Sequence, residues 1–257
     1  MPEIHPTALV ASGANLADDV VVGPYCTVGE EVTIDSGTRL VSHVVVDGFT
    51  FIGKQCTIYP FAAIGLKTQD LKFKGGRPGV KIGSNNTLRE YVTINAATYD
   101  GDFTTLGDHG HIMAYVHIAH DCHVGNRVIM ANAATLAGHI VVEDQCIIGG
   151  LTGVHQFIKL GRLSIIGGCS KVVKDVPPFM MADGNPLSVH TINKLGLERA
   201  GISPETQSAM RDAYKIIYRE NLTTEKALAK IQSTLPDSPE IRHLINFIQA
   251  SERGITR

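Results

Sequence analysis

Stepping through the chain six residues at a time from Ile4 meets an aliphatic side chain almost every time. The series runs Val10, Leu16, Val22, Val28, Ile34, Leu40, Val46, Ile52, Ile58 and Ile64, resumes at Ile82, Leu88 and Ile94, and resumes again from Leu106 to Val172. Of the 29 positions so defined, 25 hold Ile, Leu or Val, where their abundance in that stretch would give about eight by chance. Glycine follows the aliphatic residue ten times, as at Gly23, Gly53, Gly125 and Gly161. The position four further on is small or branched, as at Ala8, Val20, Thr38, Ala62, Val116 and Ala134, and it also takes Cys26, Cys56, Cys122 and Cys146. A period of six fits neither a 3.6-residue helix nor a simple alternating hairpin. It fits a parallel β-helix, whose repeats bury their apolar side chains only by stacking. The cysteines then read as small buried apolar groups rather than nucleophiles or metal ligands.

This repeat resembles that of the hexapeptide-repeat family. The resemblance implies three hexads per 18-residue coil, a triangular prism, left-handed coiling and about ten coils. Two segments, 66–80 and 96–105, break the pattern and contain the irregular positions Asp70, Gly76 and Asp100. Both restart in phase, which predicts loops extruded from coil corners. A long loop on a rigid scaffold is a common place for function, although a solvated excursion explains it as well.

Composition divides the chain near residue 177. Before that point lie 21 of the 22 valines and 22 of the 26 glycines, which suit strands and tight turns. The expected organisation is therefore a mainly β unit, the parallel β-helix of residues 1–177, followed by an α-helical C-terminal domain over 178–257, with Pro177-Pro178 as the break. Ser203-Pro204-Glu205 and Ser238-Pro239-Glu240 are helix starts, and Thr223 or Thr224 can cap a third segment. A shorter helix is predicted over Leu187–Glu198. Such a block can close the open end of a solenoid. The formal charge of −2 gives no footprint for nucleic acid. No apolar run approaches the ~18 residues of a membrane span, and the start Met1-Pro2-Glu3-Ile4 lacks the features of a signal peptide. Five cysteines, an odd number without metal-type spacing, suggest reduced thiols and a cytoplasmic location.

Candidate chemistry gathers in one stretch: His117-Ile118-Ala119-His120-Asp121-Cys122-His123, then Leu136-Ala137-Gly138-His139, then Val154-His155-Gln156-Phe157. With an 18-residue coil, His120, Gly138 and Gln156 stack, as do Asp121 with His139 and Ala137 with His155. A lone histidine on a solenoid is ordinary polar surface, but three on one corner are not. Two chemistries compete. An imidazole can act as general base at neutral pH, oriented by Asp121, with the Gly138 N–H receiving an oxyanion. Three histidines can instead hold a catalytic zinc with an open position.

These runs, with Asp70-Leu71-Lys72-Phe73, Asp175-Val176-Pro177-Pro178 and Gly184-Asn185-Pro186, resemble the acyl-carrier-protein-dependent UDP-N-acetylglucosamine O-acyltransferases of lipid A biosynthesis over essentially the whole chain. The resemblance implies that His120 is the general base toward the sugar 3-hydroxyl, supported by Asp121, and that Gly138 supplies the oxyanion hole. It implies that His139, His155 and Gln156 bind sugar and pyrophosphate, that Asp70 contacts the sugar, and that Lys72 and His117 contact donor or phosphate groups. It implies that Asn193 and Arg199 help hold the nucleotide, and that Gly168 is the acyl-chain ruler, left open for a longer chain. It further implies a homotrimer with sites between subunits, a (R)-3-hydroxyacyl chain on acyl carrier protein as donor, and no cofactor or metal. Lys159, Arg162, Lys171 and Lys174 are candidates for a basic patch facing that acidic partner, or for a merely solvated face.

The chain departs from the family at Ile94-Asn95-Ala96-Ala97-Thr98, where Ile-His-Arg-Gly-Thr is frequent, and in the less basic run Gly196–Gly201. The departures leave open a 3-amino analogue of the sugar as acceptor. A related N-acyltransferase carries an additional N-terminal domain, for which hexads beginning at Ile4 leave no room. A zinc enzyme of carbonic-anhydrase type and a purely structural solenoid are the remaining alternatives.

Overall fold

The computed structural model describes residues 1–257. Twenty-six short strands, mostly of two residues, follow one another from Glu3–Ile4 to Lys171–Val172. Ile4 pairs in parallel with Val22, Val22 with Leu40 and Leu40 with Ile58, so the coil is 18 residues long. These strands fall into three ladders of 9, 9 and 8 strands, which form the faces of a prism. The first face begins with Glu3–Ile4, the second with Leu9–Val10 and the third with Asn15–Leu16. The aliphatic hexad residues point inward and stack, and Ile34, Leu40, Ile58, Ile94, Ile118 and Leu136 are fully buried. Each such side chain contributes roughly 1.5–3 kcal/mol relative to exposure. The four cysteines of the repeat are buried too, at the small inward position just before a strand, and are spread over all three faces.

The two pattern breaks are loops. Ile82 pairs with Ile52, thirty residues back rather than eighteen, and Leu106 with Ile82, twenty-four back. The extra lengths are multiples of six, which is why the aliphatic phase resumes. The loops occupy 67–78 and 96–102, both at the corner between the second and third faces.

Corners are made by non-glycine residues in the left-handed region, three positions after the aliphatic residue. Between the first and second faces these include Tyr25, His43, Phe61, Tyr91 and Tyr115, with φ between 52° and 65°. Their amides bond to the preceding coil, as from His43 to Pro24 (3.0 Å) and from Phe61 to His43 (3.1 Å), which helps offset the ~1–2 kcal/mol of such a conformation. Their rings stack along the corner at 4.9, 5.0, 5.0 and 4.7 Å.

After the proline pair, Met180–Asp183 adds to the first face beside Ile165–Ile166, and Ser188–Ile192 folds back on it antiparallel. The short helix predicted from Leu187 is therefore a strand up to Ile192. The turn around Gly184-Asn185-Pro186 returns the chain, and Val189 and Ile192 bury against the sheet. Helix α1 covers only Lys194–Arg199, followed by α2 (Pro204–Arg219), α3 (Thr224–Thr234) and α4 (Pro239–Gln249). Ser203, Thr223 and Ser238 cap the last three through their side-chain oxygens, each accepting from the third amide onward. The helical block closes the last coil. Asp175, buried, accepts from the Lys159 amide (2.8 Å) and from Ser251 Oγ (2.6 Å), while the Thr256 amide bonds to its carbonyl.

Candidate functional site

The corner between the second and third faces carries the histidines. Leu136 pairs with Ile118 and with Val154, so the residues two positions later, His120, Gly138 and Gln156, follow one above another. Two cross-coil bonds fix the order: the His139 amide donates to the His120 carbonyl (3.1 Å) and the Phe157 amide to that of Gly138 (3.3 Å). Asp121, His139 and Phe157 hold the left-handed corner conformation, with φ of 59°, 60° and 64°.

His120 and Asp121 are both buried, and His120 Nδ1 lies 2.7 Å from Asp121 Oδ2. A carboxylate has no proton to give, so Nδ1 carries it and Nε2 is left as the acceptor. Burial alone would disfavour the Asp121 carboxylate. The hydrogen bonds from His120 and from the amide of Thr98 (3.0 Å) outweigh that and hold its pKa below the usual carboxylate range. The Asp121 amide donates to Thr104 Oγ1 (2.9 Å). His139 Nε2 is 3.5 Å from the same carboxylate, and its ring packs edge-on to His120 and face-on to Phe157 at 4.7 Å.

The His120 ring lies against Gly138. A methyl group built there would stand 2.6 Å from Nε2. The Gly138 amide donates no hydrogen bond within the chain. The corresponding amides of Ser84, Asp108 and Asn126, on the next corner, are all taken by side-chain oxygens at 2.6–2.8 Å. Gly138 thus offers an open N–H beside the basic nitrogen.

The first loop brings Asp70 back over the corner. One ligand atom each of Asp70, His120 and His139 lies within 4.8 Å of the other two. His155 is not in that set; it is exposed, with Nδ1 3.3 Å from its neighbour's carbonyl at Gln156. The three-imidazole arrangement expected of a zinc site is therefore not formed. Thr68 Oγ1 accepts from the Asp70 amide (3.1 Å) and meets Thr98 Oγ1 at 3.3 Å. Asn95, where the family often has histidine, is buried at the end of strand Thr93–Asn95 and donates to the Lys67 carbonyl (2.8 Å), tying the first loop to the strand that leads into the second. Lys72 is exposed beside Lys74, Thr98 and Tyr99. His117, one strand below the corner, bonds to Thr93 Oγ1 (2.7 Å); burial, and then the charge of His120, push its pKa below the usual histidine value.

A cavity of about 340 Å³ opens here, lined by Tyr99, Asp102, Phe103, Asp121, His123 and His139. Two larger hollows, of about 440 and 570 Å³, lie along the third face and contain none of the expected catalytic groups.

Not every candidate shares this corner. Gly168 is exposed where the first face turns into the second. Asn193 is buried at the corner between the third and first faces. There it caps α1 by accepting from Gly196 N (2.9 Å) and donates to the Leu163 carbonyl (2.8 Å). Arg199 is exposed at the end of α1. Nothing in the spacing of the chain marks Thr68, Thr98, Thr104 or the stacked Phe157 ring as part of the site. The threonines lie in or beside loops where no periodicity marks a residue, and the ring reveals itself only by its height above His139.

The chain is similar to known proteins over its whole length. The family model described as UDP N-acetylglucosamine O-acyltransferase, domain 2, matches residues 175–256. The acyl-[acyl-carrier-protein]–UDP-N-acetylglucosamine O-acyltransferases of Thermodesulfovibrio yellowstonii and Thiobacillus denitrificans are 53% and 50% identical to it, with all of each chain covered. Among solved structures, the LpxA of Acinetobacter baumannii superposes with a TM-score of 0.95 at 45% identity, covering 99% of both chains. That of Bacteroides fragilis gives 0.96 at 38%, covering 99% of this chain and all of the other. The likeness extends to the left-handed coiling of the β-helix.

Proposed function

The chain belongs to the family of acyl-[acyl-carrier-protein]–UDP-N-acetylglucosamine O-acyltransferases, and on that premise we propose a mechanism, an acceptor and an assembly for it. It moves a (R)-3-hydroxyacyl chain from acyl carrier protein to the 3-hydroxyl of UDP-N-acetylglucosamine, the first step of lipid A biosynthesis. The observation that carries the reading is the buried His120–Asp121 pair with its Nε2 beside the open amide of Gly138. His120 Nε2 takes the sugar hydroxyl proton as the oxygen attacks the thioester carbonyl. The carbonyl oxygen becomes an oxyanion and receives the Gly138 N–H. On collapse the C–S bond breaks, and the imidazolium returns its proton to the departing carrier thiolate. The relatives are named for O-acyl transfer, which favours a hydroxyl over a 3-amino acceptor.

Asp70 and His139 face the sugar, and His155 and Gln156, one coil higher, face the pyrophosphate. Lys72 and His117 flank the donor or phosphate side. Asn193, Arg199 and Gly168 lie at other corners of the same prism, so they can join this site only from a neighbouring copy. A homotrimer with its sites between subunits meets that requirement. A column of half-buried apolar residues on the outside of the first face, Ile129, Ile147 and Ile165 with Met181 above, supports such packing. Asn193 then acts by setting α1, and Arg199 and Gly168 by reaching nucleotide and acyl chain. Exposed Lys171 and Lys174, with Lys159 and Arg162, suit the acidic carrier protein. No helix is long and apolar enough to cross a membrane, and buried thiols suit a reducing cytoplasm.

The test is acyl transfer from 3-hydroxyacyl carrier protein to UDP-N-acetylglucosamine by wild type and His120→Ala. The variant is expected to lose at least ~100-fold in kcat. Equal rates remove His120 as base.

A further inference from the structure

We propose that Thr98 is a positioning residue that aims the Asp121 carboxylate at His120 and ties the imidazole to the loop bearing Asp70. The inference rests on the general-base reading of His120 above. Thr98 is 1% exposed and lies on the second loop, with bonds in three directions. Its amide donates to Asp121 Oδ1 at 3.0 Å, which turns the other carboxylate oxygen toward His120. Its Oγ1 lies 3.1 Å from His120 Nδ1, a second acceptor for the proton that Nδ1 shares with Asp121. The same hydroxyl meets Thr68 Oγ1 at 3.3 Å, and Thr68, itself buried, accepts from the amide of Asp70.

Thr98 is thus the one side chain that touches the base and, through Thr68, the loop expected over the sugar. A hydroxyl suits this post because it accepts from the imidazole and donates to Thr68 at the same time. Without it, the ring keeps only the carboxylate to fix its tilt, and Nε2 is held less closely on the line of the attacking oxygen. Movement of Asp70 on engaging the sugar reaches the imidazole along this chain of hydroxyls.

The experiment compares Thr98→Val, which keeps the shape, with Thr98→Ser, which keeps the hydroxyl, in the full chain. The readouts are kcat, the KM for UDP-N-acetylglucosamine and the ¹⁵N imidazole resonances of His120. Removing the hydroxyl is expected to lower kcat about 10-fold, the low end of the scale seen for groups that orient metal-bound histidines, with little change in KM. The His120 resonances should move from a single Nδ1–H tautomer toward a mixture, and serine should restore both. Thr68→Val should raise KM more than it lowers kcat. Should the valine variant not fold, Thr98→Cys, of similar volume and a weaker hydrogen-bonder, serves with the same expected direction. Wild-type kcat and unchanged His120 resonances in the hydroxyl-less variant overturn the inference, as does a serine variant no better than valine. If His120→Ala is inactive while Thr98→Val is intact, only the role of Thr98 falls; if His120→Ala is fully active, the general-base reading falls first.

Discussion

The imidazole of His120 occupies the space that a side chain at Gly138 would need: a Cβ there would lie 2.3 Å from its Cε1. The two residues are neighbours on successive coils, and the absence of one side chain makes room for the other. Gly138→Ala must therefore displace the base and crowd the open amide together. We expect kcat to fall by at least ~100-fold, the scale of losing an oxyanion donor, with the far-ultraviolet circular dichroism unchanged. An alanine variant with more than a tenth of wild-type kcat would contradict the placement of both groups.

His117 makes folding pH-dependent. Burial first, and the charge of His120 second, lower its folded pKa, so the unfolded chain binds that proton more readily. Its contribution to stability is present above about pH 6.5 and is lost as the pH falls through the depressed folded value. Thermal unfolding of wild type should drop more steeply than that of His117→Asn on acidification below pH 6.5. Parallel Tm curves for the two proteins would contradict this.

Thiol reactivity should divide sharply. Burial pushes Cys122 and Cys146 up to about 12, and raises Cys26 and Cys56 as well, while Cys169 is exposed. Thiolate is the reactive form, so a disulfide reagent at pH 8 should modify one thiol per native chain quickly and all five only after unfolding. Fast reaction of several thiols in the native protein would show that the inner column is open to solvent.

Gly168 tests the assembly and the ruler together. A Cβ at that position would come within 3.2 Å of the Gly150 carbonyl, so a larger side chain must extend outward from the corner. Gly168→Met should shift donor preference toward shorter acyl chains, read as the ratio of kcat/KM for long and short carriers. An unchanged ratio would remove Gly168 from the acyl groove.

The hexad pattern carried the architecture because stacking demands one inward aliphatic residue per side of each coil, and that demand is written as a period. The stacking of His120, Gly138 and Gln156 followed from the same arithmetic. Loops obey no such demand. The return of Asp70 over the histidines, and the linkage of Thr68, Thr98 and Asp121, depend on the path of irregular chain and leave no mark in spacing. The segment after the prolines is less legible for another reason. Ser188–Ile192 is short, and its pairing with Met180–Asp183 is decided by the turn between them; Val189, Thr191 and Ile192 suit a strand, but the valine-poor, more charged composition of the region as a whole predicts helix from Leu187 onward. Spacing places His155 beside the corner but does not give its direction, which is outward.

The ring column of Tyr25, His43, Phe61, Tyr91 and Tyr115 gives the protein an optical signature. Tryptophan is absent, so absorption near 280 nm comes mainly from tyrosine, and Tyr91 and Tyr115 lie nearly parallel, 2° apart at 4.7 Å. Rings held face to face in a chiral row couple their transitions, and the coupling vanishes once the rungs separate. The near-ultraviolet dichroic band is therefore an intrinsic gauge of whether neighbouring turns of the solenoid remain in register. It can be followed beside the 222 nm signal of the helical cap to see which end of the molecule comes undone first.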